Sequence, residues 1–85
     1  MRFIWDEHKR LANLDKHGLD FQDVELDFEW ETAVITTTDC DHFKAVGYFR
    51  DGTAVVIFAA LGTEAVSIIS FRPASRKERL VLDDG

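Results

Sequence analysis

The sequence predicts an α+β fold in one domain over residues 1–85, with N-terminal helices packed on an antiparallel β-sheet and a short C-terminal helix. Three observations carry this. Apolar residues recur at helical spacing through the first third of the chain, and Gly18 interrupts them. From Ala33 to Arg72 the period becomes that of strands, punctuated by Asp51-Gly52 and Gly62-Thr63. After Pro73, the segment Ser75-Arg76-Lys77-Glu78 has the spacing of a helix capping box.

The elements follow in order. Arg2–Trp5 reads as a short strand with Phe3 and Trp5 on one side. Asp6 to His17 reads as a helix stopped by Gly18. Lys9, Asn13 and Lys16 fall on a narrow polar stripe of that helix, with His17 at its edge; Leu11 and Leu14 are expected to face a core. Such a stripe can grip phosphate and move protons, and it can equally be a solvated face. A second short helix is expected from Asp20 to Phe28, on the spacing of Phe21, Val24 and Phe28. Phe28 and Trp30 read as core or interface.

Ala33–Thr38 is β-branched and reads as a strand. His42–Arg50 alternates, with Phe43, Ala45, Gly47 and Phe49 on one face and His42, Lys44, Val46, Tyr48 and Arg50 on the other. Asp51-Gly52 is a two-residue hairpin signal, because both residues tolerate positive φ. Thr53–Leu61 is almost continuously apolar, as a central strand would be, and Glu64–Arg72 is a further strand. Together these predict an antiparallel meander with the helices on one face. The capping box then starts a helix at about Arg76 to Leu82, with Arg72 at a strand end and Arg76 in the first helical turn, a place where an anion can sit.

Composition narrows the function classes. The net charge of −6 argues at first against a nucleic-acid partner, because phosphate contacts need Lys and Arg. The distribution changes that. Residues 23–43 hold seven acidic and no basic side chains, whereas residues 71–85 hold four basic against three acidic. The acidic middle is a solvated surface or faces a basic protein partner. The two ends can build a basic patch if they meet in space. A single cysteine, Cys40, excludes an internal disulfide and reads as an incidental loop or edge-strand residue. No apolar run is long enough to span a membrane, and no signal-peptide core follows Arg2 and Asp6, so the expected location is the cytoplasm. His8, His17, His42 and Cys40 have no metal-ligand spacing, and there is no phosphate-cradling Gly-rich loop or nucleophile elbow. No metal and no cofactor are expected.

The pattern W-D-x-x-K-x-x-x-N-x-x-K-H-G at Trp5–Gly18, followed by I-I-S-x-R-x-A-x-R-x-E-R at Ile68–Arg79, resembles the BrnT family of bacterial type II toxin–antitoxin systems. The resemblance runs along the whole chain. It implies a RelE-like α+β fold and a metal-independent endoribonuclease that stops translation. It also implies a cognate BrnA-like antitoxin that neutralises the toxin and contacts DNA, so that DNA is reached only through the antitoxin. The chain departs from the family pattern at Phe71, where Ala is common, in the apolar stretch Phe58–Leu61 before the last hairpin, and in the acidic end Leu82–Gly85. These departures remove polarity that would help hold RNA. They support an alternative: a catalytically inactive binding module of the same fold that binds an antitoxin and aids repression.

Metal-free RNA cleavage needs a base for the 2′-hydroxyl, an acid for the leaving 5′-oxygen and a cation for the phosphate. Arg72 and Arg76 are the candidates for holding the scissile phosphate, because guanidinium matches it bidentately. His17 is the leading acid–base candidate, since imidazole ordinarily titrates near neutrality. Lys9, Lys16, Lys44 and Arg79 are candidates for RNA backbone contacts, and His42 and Tyr48 are second choices for proton transfer. Each also has a structural reading: His17 can cap its helix, Tyr48 can pack, and Glu78 is read as capping the last helix rather than acting as base.

Overall fold

A computed structural model describes residues 1–38 and 41–83; the expectations for Cys40, and the acidic Asp39 and Asp84 with Gly85, lie outside the described residues. The chain runs β1 (Arg2–Trp5), α1 (Glu7–His17), α2 (Gln22–Asp27), β2 (Val34–Thr37), β3 (Phe43–Phe49), β4 (Gly52–Leu61), β5 (Ala65–Pro73) and α3 (Arg76–Asp83). Element types and order agree with the sequence reading.

The five strands form one sheet in the order β1-β5-β4-β3-β2. Two expectations about it are corrected. The sheet is mixed, because β1 lies parallel to β5 at one edge while the other pairs are antiparallel. The intervening helices and strands make that possible: a parallel neighbour needs a long connection, and here nearly the whole chain supplies it. The helices also do not share one face. Phe21, Val24 and Phe28, from α2 and its flanks, pack with Ala45, Phe49, Val56, Phe58, Ile68 and Phe71 on one side of the sheet. Leu82 of α3 packs with Val46 and Val55 on the other. The strand period requires this, since successive residues of β3 and β4 point to opposite faces and both faces are apolar at their centre.

α1 begins at Asp6, whose carboxylate accepts from the His8 amide at 2.9 Å, and ends at Gly18, which takes φ 72° and donates its amide to the Leu14 carbonyl at 2.8 Å. Its buried side differs from expectation. Leu11 is 50% exposed, whereas Asn13 of the polar stripe is buried. The reason lies at the edge of β5. β1 pairs with β5 only from Ala65 to Ile68, which leaves the outer edge of β5 open beyond Ile68. The Asn13 amide closes it. Nδ2 donates to the Phe71 carbonyl at 2.7 Å and to the Leu19 carbonyl at 3.0 Å, and Oδ1 accepts from the Phe71 amide at 3.1 Å. One side chain thus replaces a strand neighbour and ties α1 to the sheet.

β5 carries a bulge: Ile57 and Phe58 on β4 oppose Ser70 and Ile68, so Ile69 has no partner. The bulge switches the side-chain parity, and both Ile68 and Phe71 therefore reach the same core. At the β3–β4 turn the expected left-handed residues Asp51 and Gly52 are not the ones used. Arg50 takes φ 54°. That conformation costs a non-glycine residue about 1–2 kcal/mol. The Arg50 guanidinium is held by Asp27 at 2.9 Å and Asp23 at 3.2 Å and stacks over Phe49, which fastens the turn to α2.

Two substitutions test this packing. Asn13→Ala leaves a buried donor and acceptor of Phe71 unpaired and is expected to lower unfolding free energy by about 2–4 kcal/mol in urea titrations. Gly47→Ala places a Cβ 2.7 Å from Phe28 Cζ, which must move. A cost of about 1–3 kcal/mol is expected by the same measurement.

Candidate RNA-binding and catalytic face

The face of the sheet that carries α3 is covered only in part. Lys44 on β3, Ile57 on β4 and Ser70 on β5 are cross-strand neighbours there, as are Val46, Val55 and Arg72 one row along. Strand spacing puts the Lys44 and Ser70 backbones about 10 Å apart.

Arg72, Lys44 and Glu78 form the ionic centre of this face. The capping box is made as the sequence predicts: Glu78 donates its amide to Ser75 Oγ at 3.2 Å, and the Ser75 amide donates to Glu78 Oε1 at 2.8 Å. The same carboxylate accepts both Nη1 and Nη2 of Arg72 at 2.8 Å, and Lys44 Nζ lies 2.6 Å from Oε2. Hydrogen bonds from Arg72, then from Lys44 and the Ser75 amide, hold the Glu78 carboxyl far below the usual glutamate range, against the opposing effect of burial. The same pairing raises Arg72. Glu78 is thus a weak base and a strong anchor. The sequence reading found the cap and missed the ion pairs, because no local signal links Arg72 or Lys44 to Glu78.

The N-terminal cations gather separately. Lys9, Lys16 and His17 line a shallow depression of about 280 Å³ with Asn13, Ile69 and Ser70. Lys16 and His17 occupy the last turn of α1, where the helix dipole favours cations. The Ser70 hydroxyl reaches Asn13 Oδ1 at 3.4 Å. Ser70 therefore borders the depression on one side and shares a sheet row with Lys44 on the other. Of the C-terminal cations, Arg72 on β5 is thus the one connected to this depression, two residues along the strand from Ser70. The switch from Val66 and Ile68 to Phe71 in apolar parity is the sequence signal from which the β5 bulge can be read.

Arg76, Arg79 and Tyr48 line a third place, an open hollow of about 590 Å³ beside the Arg50–Asp51 turn, with Thr53, Leu80 and Asp83. Arg76 is exposed there and does not join the Arg72 ionic centre. His42 sits just before β3; the strand separates it from Tyr48 by about 20 Å. Its carbonyl accepts from the amide and hydroxyl of Thr38. Among the described residues, no three His, Cys, Asp or Glu side chains are grouped to hold a metal ion. Among the described residues, no helix is long and apolar enough to cross a membrane.

Fold and site together define a small α+β domain with a cation-flanked open sheet face. Residues 5–78 match the family model described as the ribonuclease toxin BrnT of type II toxin–antitoxin systems, and the chain belongs to that family. It is also similar to the Brucella abortus ribonuclease toxin BrnT in its 1.1 Å crystal structure, with a TM-score of 0.78 and 43% sequence identity, over 89% of this chain and 99% of that one. Among curated protein sequences, none matches.

The Glu78 centre predicts an acid sensitivity with a definite sign. A carboxyl lowered by folding contributes stability that is complete above its unfolded value, near pH 4.3, and is lost as pH falls toward its native value. Glu78→Gln is therefore expected to flatten the loss of stability below about pH 4 in thermal melts across a pH series.

Proposed function

We propose that this chain is a metal-independent endoribonuclease toxin of RelE-like fold, neutralised by a BrnA-like antitoxin through which alone the complex meets DNA. Membership of a ribonuclease toxin family supports the activity. The observation that carries the site is the row Lys44–Ile57–Ser70, which links the Arg72–Glu78–Lys44 centre to the Lys9, Lys16 and His17 depression. RNA laid across this row meets cations on both sides, with Ile57 and Ser70 between them.

In this reading Glu78 holds the Arg72 guanidinium in a fixed plane, and Arg72 meets the charge that grows on the scissile phosphate. The 2′-oxygen forms a bond to phosphorus as its proton leaves, and the bond from phosphorus to the 5′-oxygen breaks as that oxygen takes up a proton. A 2′,3′-cyclic phosphate and a free 5′-hydroxyl result. The carboxylate of Glu78 is too weak a base for the first proton transfer, and His17 is assigned to proton transfer. Lys9, Lys16 and Lys44 hold flanking phosphates. Arg76 and Arg79, with Tyr48 beside them, extend the contact along α3.

The test is cleavage of single-stranded RNA by purified protein in the presence of EDTA. Wild type is expected to cut. Arg72→Ala and His17→Ala are each expected to lower the rate by about a hundredfold or more, with the circular dichroism spectrum unchanged. Arg72→Ala leaves Glu78 capping Ser75 and paired with Lys44, so α3 stays in place. Intact RNA with folded wild type would instead establish the inactive binding module.

A further inference from the structure

The core face of the sheet is not closed at the end away from α2. Phe3, Trp30, Ile35, Phe43, Phe58 and Ala60 line an open groove of about 430 Å³ whose wall is almost wholly apolar. Ile35 is 50% exposed within it and Met1 77%. Among the described residues, no charged side chain lines the groove. Acidic side chains outnumber basic ones beside it: Glu29 and Glu31 flank Trp30 and Glu64 follows Thr63, against Arg2 between Met1 and Phe3, all four exposed. Among the described residues that line it, the α-amino group of Met1 carries the positive charge.

The groove runs out to a free strand edge. β2 pairs with β3 alone and is the last strand of the sheet. Its sequence, Val34-Ile35-Thr36-Thr37, contains no charge, proline or glycine to block a further strand. Ile35 of this strand is itself part of the groove wall. An extended segment added to β2 would place alternate side chains over the groove.

We propose that this groove and the β2 edge dock an extended segment of a partner protein that carries an apolar anchor side chain flanked by Lys or Arg. Charge decides among the occupants. The chain carries −6 overall, and of the acidic run in residues 23–43, which contains β2 and no basic side chain, Glu29 and Glu31 adjoin the groove while Asp23 and Asp27 are already paired with Arg50. A second copy would bring the same acidic run against itself, and RNA would bring phosphates. A basic segment meets complementary charge at the rim and apolar surface at the centre, the arrangement of a desolvated anchor within a polar border. The inference deepens the toxin–antitoxin reading, because it assigns the antitoxin this surface. It places antitoxin contact on the opposite face of the sheet from Lys44 and Arg72.

The experiment uses the full chain and its antitoxin, co-expressed and then separated, with binding followed by calorimetry and RNA cleavage measured in parallel. Ile35→Asp and Ala60→Glu place charge in the groove at exposed positions outside the catalytic face. Each is expected to weaken antitoxin binding by about thirtyfold or more, the scale of an interface anchor, while leaving RNA cleavage unchanged. Glu29→Gln with Glu31→Gln is expected to slow association and reduce its salt dependence. Unchanged antitoxin affinity in both groove variants overturns the proposal, as does a wild-type homodimer in sedimentation that Ile35→Asp dissociates. Groove-dependent antitoxin binding by a wild type that cuts no RNA would uphold the docking surface and remove only the ribonuclease reading.

Discussion

The architecture depends on the bond between the Asn13 side chain and the backbone of Phe71. A sheet edge within a protein must be paired or covered, and β1 is too short to pair the whole of β5. Asn13 supplies one donor and one acceptor in the geometry a neighbouring strand would offer. It thereby fixes α1 against the sheet at the point where β5 bulges. The Lys9, Lys16 and His17 side chains ride on that helix, so their position relative to Ser70 and Arg72 follows from this contact. The amide carries its donor and acceptor on separate atoms, as a peptide group does, and an apolar residue offers neither.

The bulge has a second consequence. By shifting parity at Ile69 it lets Phe71 enter the core while Arg72 points to the other face. Without the extra residue, the side chains beyond it would exchange faces, and a charged guanidinium would enter an aromatic core. The aromatic side chains Phe28, Phe49 and Phe71 meet edge-on around this position. Core packing and site geometry are thus set by the same residue insertion.

Two clusters of acidic groups are neutralised by ion pairs: Glu78 by Arg72 and Lys44 on the face that carries α3, and Asp23 and Asp27 of α2 by Arg50. Glu29, Glu31 and Glu64 are exposed beside residues of the apolar groove at the other face. A net-negative protein can in this way present a cationic surface for phosphate and an acidic surface for a basic protein at once, since each partner responds to local potential rather than to net charge.

The sequence by itself determined the kind and order of the elements, the Gly18 stop and the Ser75–Glu78 cap, and the family, because these rest on local spacing and on two motifs. It also marked Lys9, Lys16, His17, Lys44 and Arg72 as chemistry-bearing side chains. What only the tertiary structure decided are relations between distant residues. The parallel pairing of β1 with β5, the placement of α3 on the second face, the use of Asn13 rather than Leu11 to bury α1, and the joining of Lys44 and Arg72 on Glu78 have no local signature. Each depends on which backbone groups and charges remain unpaired once the strands have come together. That is a property of the assembled sheet rather than of any window of the chain.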